Sequence, residues 1–182
     1  MNSFTKKMCL TAMLAAIGYL LTTFAVIPIF TGQAYINFGD AIILFSSAFI
    51  GPFWGALVGA IIGPLADLTL GAAYFIPFSI IAKGGEGLIS GLLYKYFPKK
   101  IKWLAYVLGA IWMIATYLVS YYIIYGFGGL INSLFDLIQG TIAILLATAL
   151  SFLFKNIHHN STSNRDIKWF NIINFNADSF IC

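Results

Sequence analysis

Charge is scarce in this sequence. Only 9% of its 182 residues are charged, while 60% are hydrophobic and 17% aromatic. A water-soluble domain carries about 25% charged residues, so this chain cannot cover itself with water-compatible side chains, and lipid is its expected solvent. Cysteine occurs twice, at Cys9 and Cys182 near opposite ends, and gives neither a redox pair nor a disulfide framework. Histidine occurs only as His158-His159, a pair that reads as solvated rather than metal-binding. No metal or cofactor site is expected. No glycine-rich phosphate loop leads into Lys83, which excludes a P-loop ATPase. No Ser-His-Asp or Glu-rich arrangement suggests an intramembrane hydrolase. Six apolar segments without an inverted repeat also argue against a self-sufficient secondary transporter.

Long apolar runs are what the sequence has. A spanning helix needs about 20 mostly apolar residues. Segments at about 8–29, 39–50, 53–71, 75–95, 103–125 and 130–154 are read as helices. The second is the shortest and is closed by Gly51-Pro52. The first is too long for the apolar core of a signal peptide, about 7–15 residues, and is read as a retained membrane span. The fold class is therefore an all-α integral membrane six-helix bundle over residues 1–155. A polar, Asn-rich tail follows over 156–182, read as a loosely ordered cytoplasmic extension.

Lys and Arg set the orientation. Lys6 and Lys7 precede the first segment, Lys95, Lys99, Lys100 and Lys102 join the fourth to the fifth, and Lys155, Arg165 and Lys168 follow the sixth. The opposite loops, about 30–38, 72–74 and 126–129, contain no Lys or Arg. This split places both termini in the cytoplasm. A five-span alternative, with segments two and three as a broken hairpin, would destroy it. The same distribution assigns the net charge of +4 to membrane orientation rather than to nucleic acid. The sequon Asn160-Ser161-Thr162 falls on the cytoplasmic side and is discounted.

The few polar residues inside the segments are patterned. In PFSIIAKGGEGLISGLLYK, residues 77–95, Ser79, Lys83, Glu86 and Ser90 follow spacings of 4, 3 and 4, which draw one stripe on a helix. A charge at mid-membrane costs about 2.5–3.5 kcal/mol on insertion scales and usually faces a bundle interior or a wet cavity. One reading is a self-neutralising Lys83–Glu86 pair; the other is a ligand site. Asn132, Asp136 and Gln139 form a second stripe in segment six, and Tyr117, Tyr121 and Tyr125 a third in segment five. All fall towards the outer surface. Tyr125 also suits an interfacial aromatic belt. Asp40 and Asp67 read as caps or anchors near helix ends. The loop IPIFTGQAYINFG, residues 27–39, could be a lid. Aromatic walls with sparse polar anchors suit a small, flat, polar ring compound.

Small residues recur too. Gly51, Gly55, Gly59 and Gly63 make a ridge for close helix packing, and Gly84, Gly87 and Gly91 do the same in segment four. Ala12, Ala15 and Ala16 form a patch near the cytoplasmic end of segment one. It serves either packing within the bundle or docking on another protein.

The runs Tyr35-Ile36-Asn37-Phe38-Gly39-Asp40-Ala41, GPFWGALVGAIIGPLADL and IPFSIIAKGGEGLISGLLY together resemble the substrate-binding S components of energy-coupling factor (ECF) vitamin transporters. The likeness covers about residues 8–154 and is strongest to the riboflavin-type and hydroxymethylpyrimidine-type group. It implies a non-enzymatic binding subunit with an outward-open vitamin site. It also implies a transmembrane coupling subunit and two cytoplasmic ATPases as partners, and docking through the alanine motif matched by Ala12 and Ala16, with Ala15 alongside. The expected ligand contacts are Lys83, Glu86, Tyr117, Tyr121, Asn132, Asp136 and Gln139. A thiamine-precursor pyrimidine or a pyridoxine-like compound is the first choice and riboflavin the second; folate would want more positive charge. Two other classes remain open: an assembly protein without a ligand, and an intramembrane enzyme using Glu86 or Asp136.

Overall fold

A computed structural model of the chain describes residues 3–24, 27, 28, 35, 36 and 38–163; for 27, 28, 35, 36 and 156–163 it describes the backbone alone. Its helices are α1 (Ser3–Phe24), α2 (Gly39–Phe49), α3 (Pro52–Thr69), α4 (Ile76–Tyr96), α5 (Trp103–Tyr125) and α6 (Ser133–Ser163). Short 3-10 turns, Ala73–Phe75, Lys99–Ile101 and Gly126–Asn132, connect the later ones. Strands β1 (Ile27–Pro28) and β2 (Tyr35–Ile36) pair antiparallel between α1 and α2. Most of the expected lid over 27–39, and all of the tail beyond Ser163, lie outside the described residues.

Four segments are long and apolar enough to cross a membrane: Ser3–Phe24, Pro52–Thr69, Ala73–Tyr96 and Trp103–Lys155, the last holding both α5 and α6. At 11 residues, α2 rises only about 16 Å. Its sequence is apolar almost all round because it is enclosed almost all round: every residue from Gly39 to Ala48 is buried. A helix buried on every side shows no amphipathic stripe. Around it, α1 packs on α3, α3 on α4, α4 on α5 and α5 on α6, while α2 touches α1, α3, α4 and α6.

The close α3–α4 seam follows from glycine. A Cβ on Gly59 would lie 2.1 Å from the Lys83 carbonyl oxygen, and one on Gly87 would lie 2.3 Å from the Gly55 carbonyl oxygen. Only residues without side chains let the two backbones meet this way. The glycine ridges are thus packing features.

Polarity is inverted relative to a water-soluble bundle. Asp40, Glu86 and Ser79 are fully buried, while Leu145, Ile123 and Met13 are each more than 60% exposed. Side-chain contacts also tie the lysine-bearing ends together. Phe4 lies against Trp54, Tyr94 stacks on Tyr106, the Tyr106 hydroxyl bonds Ser151 at 2.7 Å, and Phe154 meets Phe45 and Phe49. The starts of α1, α3 and α5 therefore share one end of the bundle with the ends of α2, α4 and α6.

Candidate functional site

The stripe on α4 faces the bundle interior: Ser79, Lys83, Glu86 and Ser90 are all buried. Each meets a different environment. Ser90 bonds Ser47 of α2 at 2.8 Å, and Ser79 bonds the Tyr117 hydroxyl of α5 at 2.9 Å. Between them, the Lys83 ammonium donates to Asp40 Oδ1. This corrects the self-neutralising reading, because the ion pair runs from α4 to α2 and not from Lys83 to Glu86. Gln139 of α6 donates from Nε2 to the other Asp40 oxygen, Oδ2. One carboxylate in the first turn of α2 thus gathers groups from α4 and α6.

Asp40 is the residue that sequence reasoning undervalued. It is not a cap: Phe38 holds the cap position of α2, and the Asp40 side chain points inward. The available signal was its isolation, as the one charged residue of an otherwise apolar helix. A Cβ on the preceding Gly39 would lie 1.9 Å from Thr22 Oγ1, so α1 presses the start of α2 into this place. Asp67, also read as an anchor, is buried beside Ser79 in the last turn of α3 and within electrostatic reach of Lys83.

Aromatic side chains run from Lys83 towards the end of the bundle opposite the lysine-bearing one. Its ammonium lies 5.7 Å from the Tyr117 ring centroid. Tyr117 stacks on Tyr121 at 6.0 Å, Tyr121 meets the edge of Phe75 at 5.6 Å, and Phe75 adjoins Tyr125. The Tyr74 and Tyr125 hydroxyls bond at 2.7 Å at the far end of this column. Phe75 is a wall residue that sequence reasoning missed; its buried place in the α3–α4 connection left no periodic signal.

Glu86 has no such company. It is fully buried, and neither Oε1 nor Oε2 has a hydrogen-bond partner among the described residues. Asp136 lies beside Tyr121 with Oδ2 unpartnered, and Asp67 likewise leaves Oδ2 unpartnered. Glu86 and Asp136 both lie within electrostatic reach of Asp40 and Lys83. Lys83, Gln139, Tyr117, Glu86 and Asp136 are therefore brought into one neighbourhood, with Tyr121 bordering it. Asn132 is buried but belongs to the 3-10 turn before α6, which begins at Ser133 rather than at 130. No hydrogen bond to another described residue ties it to the cluster.

The interior therefore holds four carboxyl groups, Asp40, Asp67, Glu86 and Asp136, against one ammonium, Lys83. Such a surplus of buried acceptors is costly unless donors are supplied. Among the described residues no grouping of His, Cys, Asp and Glu could hold a metal ion.

The alanine patch divides. Ala15 packs inside against Ile43, Val58 and Ile62, whereas Ala12 and Ala16 are exposed. Ala15 is thereby removed from any docking surface, because α1 turns it towards α2 and α3.

Comparisons with known proteins identify the family. The chain is 33% identical over 131 residues to an uncharacterized protein of Pyrococcus woesei, covering 71% of this chain and 88% of that one. It is 28% identical over 156 residues to the thiamine precursor transporter HmpT of Lactococcus lactis subsp. cremoris, covering 85% and 90%. The family model described as ECF-type riboflavin transporter, S component, matches residues 2–156. A multi-pass helical chain with polar groups gathered in its apolar interior thus belongs to the family of ECF-type transporter S components, a family of transport subunits rather than enzymes.

Proposed function

We propose that this protein is the membrane-embedded binding subunit for uptake of a small heteroaromatic vitamin precursor, with a hydroxymethylpyrimidine or a pyridoxine-like ring as first choice and riboflavin as second. The observation that carries this reading is Glu86. A purely structural network accounts for Asp40, Lys83 and Gln139, which satisfy one another. It leaves a fully buried carboxylate with two vacant acceptors, and a ligand presenting hydrogen-bond donors would fill them. The excess of carboxyls over cations favours a donor-rich ring such as an aminopyrimidine over one that mainly accepts. The relative named as a thiamine precursor transporter points the same way, and the riboflavin description of the family model keeps flavin second. Lys83, Glu86, Asp136 and Gln139 would read the ring edge, Tyr117 and Tyr121 its face, and Asn132 its outer substituents. Asp40 would hold Lys83 and Gln139 in position.

In this reading the chain crosses the cell membrane six times over residues 1–155, with α2 as a short central span. Both termini and the polar tail, 156–182, lie in the cytoplasm, as the shared lysine-bearing end supports. A transmembrane coupling subunit and two cytoplasmic ATPases would complete the transporter. Ala12 and Ala16 would meet the coupling subunit, whose docking surface needs small exposed side chains.

Mass spectrometry of small molecules released from the purified, denatured protein tests the assignment. A pyrimidine or pyridine vitamer is expected. A protein that carries nothing and binds neither pyrimidine nor flavin in titrations would end it. Glu86→Gln should weaken binding roughly tenfold to a hundredfold, as a charge-assisted hydrogen bond contributes about 1.5–3 kcal/mol. Unchanged affinity in a folded variant removes Glu86 from the site.

A further inference from the structure

A second concentration of charge lies at the opposite end of the bundle, where the ligand reading has no use for it. Lys99 and Lys100 stand on the 3-10 turn between α4 and α5, Lys102 caps α5, Lys95 ends α4, and Lys155 lies on α6. Lys102 lies 4.6 Å over the ring of Tyr94, which stacks on Tyr106, whose hydroxyl is bonded to Ser151. Burial, followed by repulsion from Lys99 and Lys155, pulls the Lys102 ammonium below the usual lysine range. Lys99 stands three residues before Lys102, and Lys155 one helical turn beyond Ser151, so this chain of contacts brings three cations from three elements to one place. The four acidic residues among the described ones, Asp40, Asp67, Glu86 and Asp136, lie in the first turn of α2, the last turn of α3, the middle of α4 and the first turn of α6. None of them is at this end to neutralise the cluster. The first turn of α5 also carries no side-chain cap and no acidic residue, leaving its positive dipole end unopposed.

The surroundings say what kind of anion fits. Tyr96, Ile101 and Trp103 are interleaved with these lysines and exposed, and Phe152, Leu153 and Phe154 are exposed just before Lys155. Exposed tyrosine and tryptophan beside lysine, directly above bare aliphatic and aromatic side chains, mark the depth of lipid headgroups. A patch built for a protein in the aqueous phase would have no need of that apolar rim.

We propose that Lys99, Lys102 and Lys155 form a binding site for the phosphate of an anionic phospholipid headgroup, with the acyl chains lying along Phe152 to Phe154 and Trp103. Tyr94 and Tyr106 hold Lys102 in place from below. The site rests on the reading of this chain as membrane-spanning but not on the identity of its vitamin.

Native mass spectrometry of the full chain, in detergent doped with phosphatidylglycerol or phosphatidylcholine, tests it. Retention of phosphatidylglycerol over phosphatidylcholine is expected. Each lysine near an anionic surface contributes about fivefold, so Lys99→Gln/Lys102→Gln/Lys155→Gln should weaken phosphatidylglycerol binding about a hundredfold. Lys6→Gln/Lys7→Gln, at the start of α1, should weaken it far less than the triple variant. Vitamin binding is measured on the same samples; its survival in the triple variant shows a folded protein and separates this proposal from the ligand assignment. Should the triple variant not fold, Lys155→Gln alone should still show about a fivefold loss. Equal retention of both lipids overturns the proposal. So does equal loss in the Lys6/Lys7 variant, or displacement of lipid by inorganic phosphate alone. Undiminished lipid binding in the triple variant, with lost co-purification of coupling subunits, would reassign the patch to a protein surface.

Discussion

Removing one member of the Asp40–Lys83 pair should hurt far more than removing both. In Asp40→Asn the amide still accepts from Gln139, but Lys83, 4% exposed, keeps a full charge and loses the carboxylate it is hydrogen-bonded to. Breaking a buried pair in this way costs about 3–5 kcal/mol. For a chain of this size that corresponds to a fall in melting temperature of roughly 6–20 °C. Lys83→Met, with Asp40 still served by Gln139, should fall at the lower end of the range. The double variant Asp40→Asn/Lys83→Met leaves no unpaired ammonium and fills the Lys83 volume with an apolar chain. Replacing both charges by neutral groups of similar size is often neutral or stabilising, so the double variant should melt close to the parent, its loss far below the sum of the two single losses. Melting is followed by fluorescence-detected size-exclusion chromatography after heating in detergent. Vitamin affinity is then measured on the double variant, and it should drop although the fold survives. Additive losses in the double variant would refute the reasoning, because the two groups would then not sense each other as the geometry requires.

Two further outcomes follow from the packing. Gly59→Ala drives a methyl into the Lys83 carbonyl, 2.1 Å away; overpacking of this kind costs about 1–3 kcal/mol and, by shifting α4, should weaken vitamin binding as well as lower the melting temperature, both read in the assays above. Ala12→Leu/Ala16→Leu adds bulk only to the exposed face of α1, so vitamin binding by the isolated chain should hold while uptake by the assembled transporter in cells falls; normal uptake would remove this face from docking.

Much of the architecture is legible without coordinates because membrane constraints are one-dimensional. Length and hydropathy located the helices to within a few residues except at α1, which runs Ser3–Phe24 rather than about 8–29 because Ile27–Pro28 pairs as a strand, and at α6, whose start is delayed by the 3-10 turn through Asn132 and whose end runs on to Ser163. The α4 stripe was legible for the same reason: helical periodicity says which side chains share a face. Periodicity is silent on which neighbouring helix that face meets. The spacing of Lys83 and Glu86 invited a local pair, and only the packing of α2 into the centre reveals Asp40 as the true counter-ion. Ala15 shows the converse limit. Three alanines close in sequence look like one patch, yet a turn of 100° per residue places one inside the core and two outside.

The economy of polar groups inside this bundle favours a binding site over a mere helix fastener. Helices in lipid can be fastened by small residues and modest hydrogen bonds, and this chain already does so through Gly59, Gly87 and the Ser47–Ser90 bond. Nothing in that task requires a charge, still less four carboxyls around one lysine. Intramembrane ionisable residues persist where they do something other than hold helices. The ion pair and the Gln139 hydrogen bond serve only Asp40, while Glu86 stands within one helical turn of Lys83 and has no donor among the described residues. The half of α4 that faces the aromatic column thus holds buried acceptors without a donor among the described residues, and a flat ring carrying N–H groups, as proposed above, would supply one.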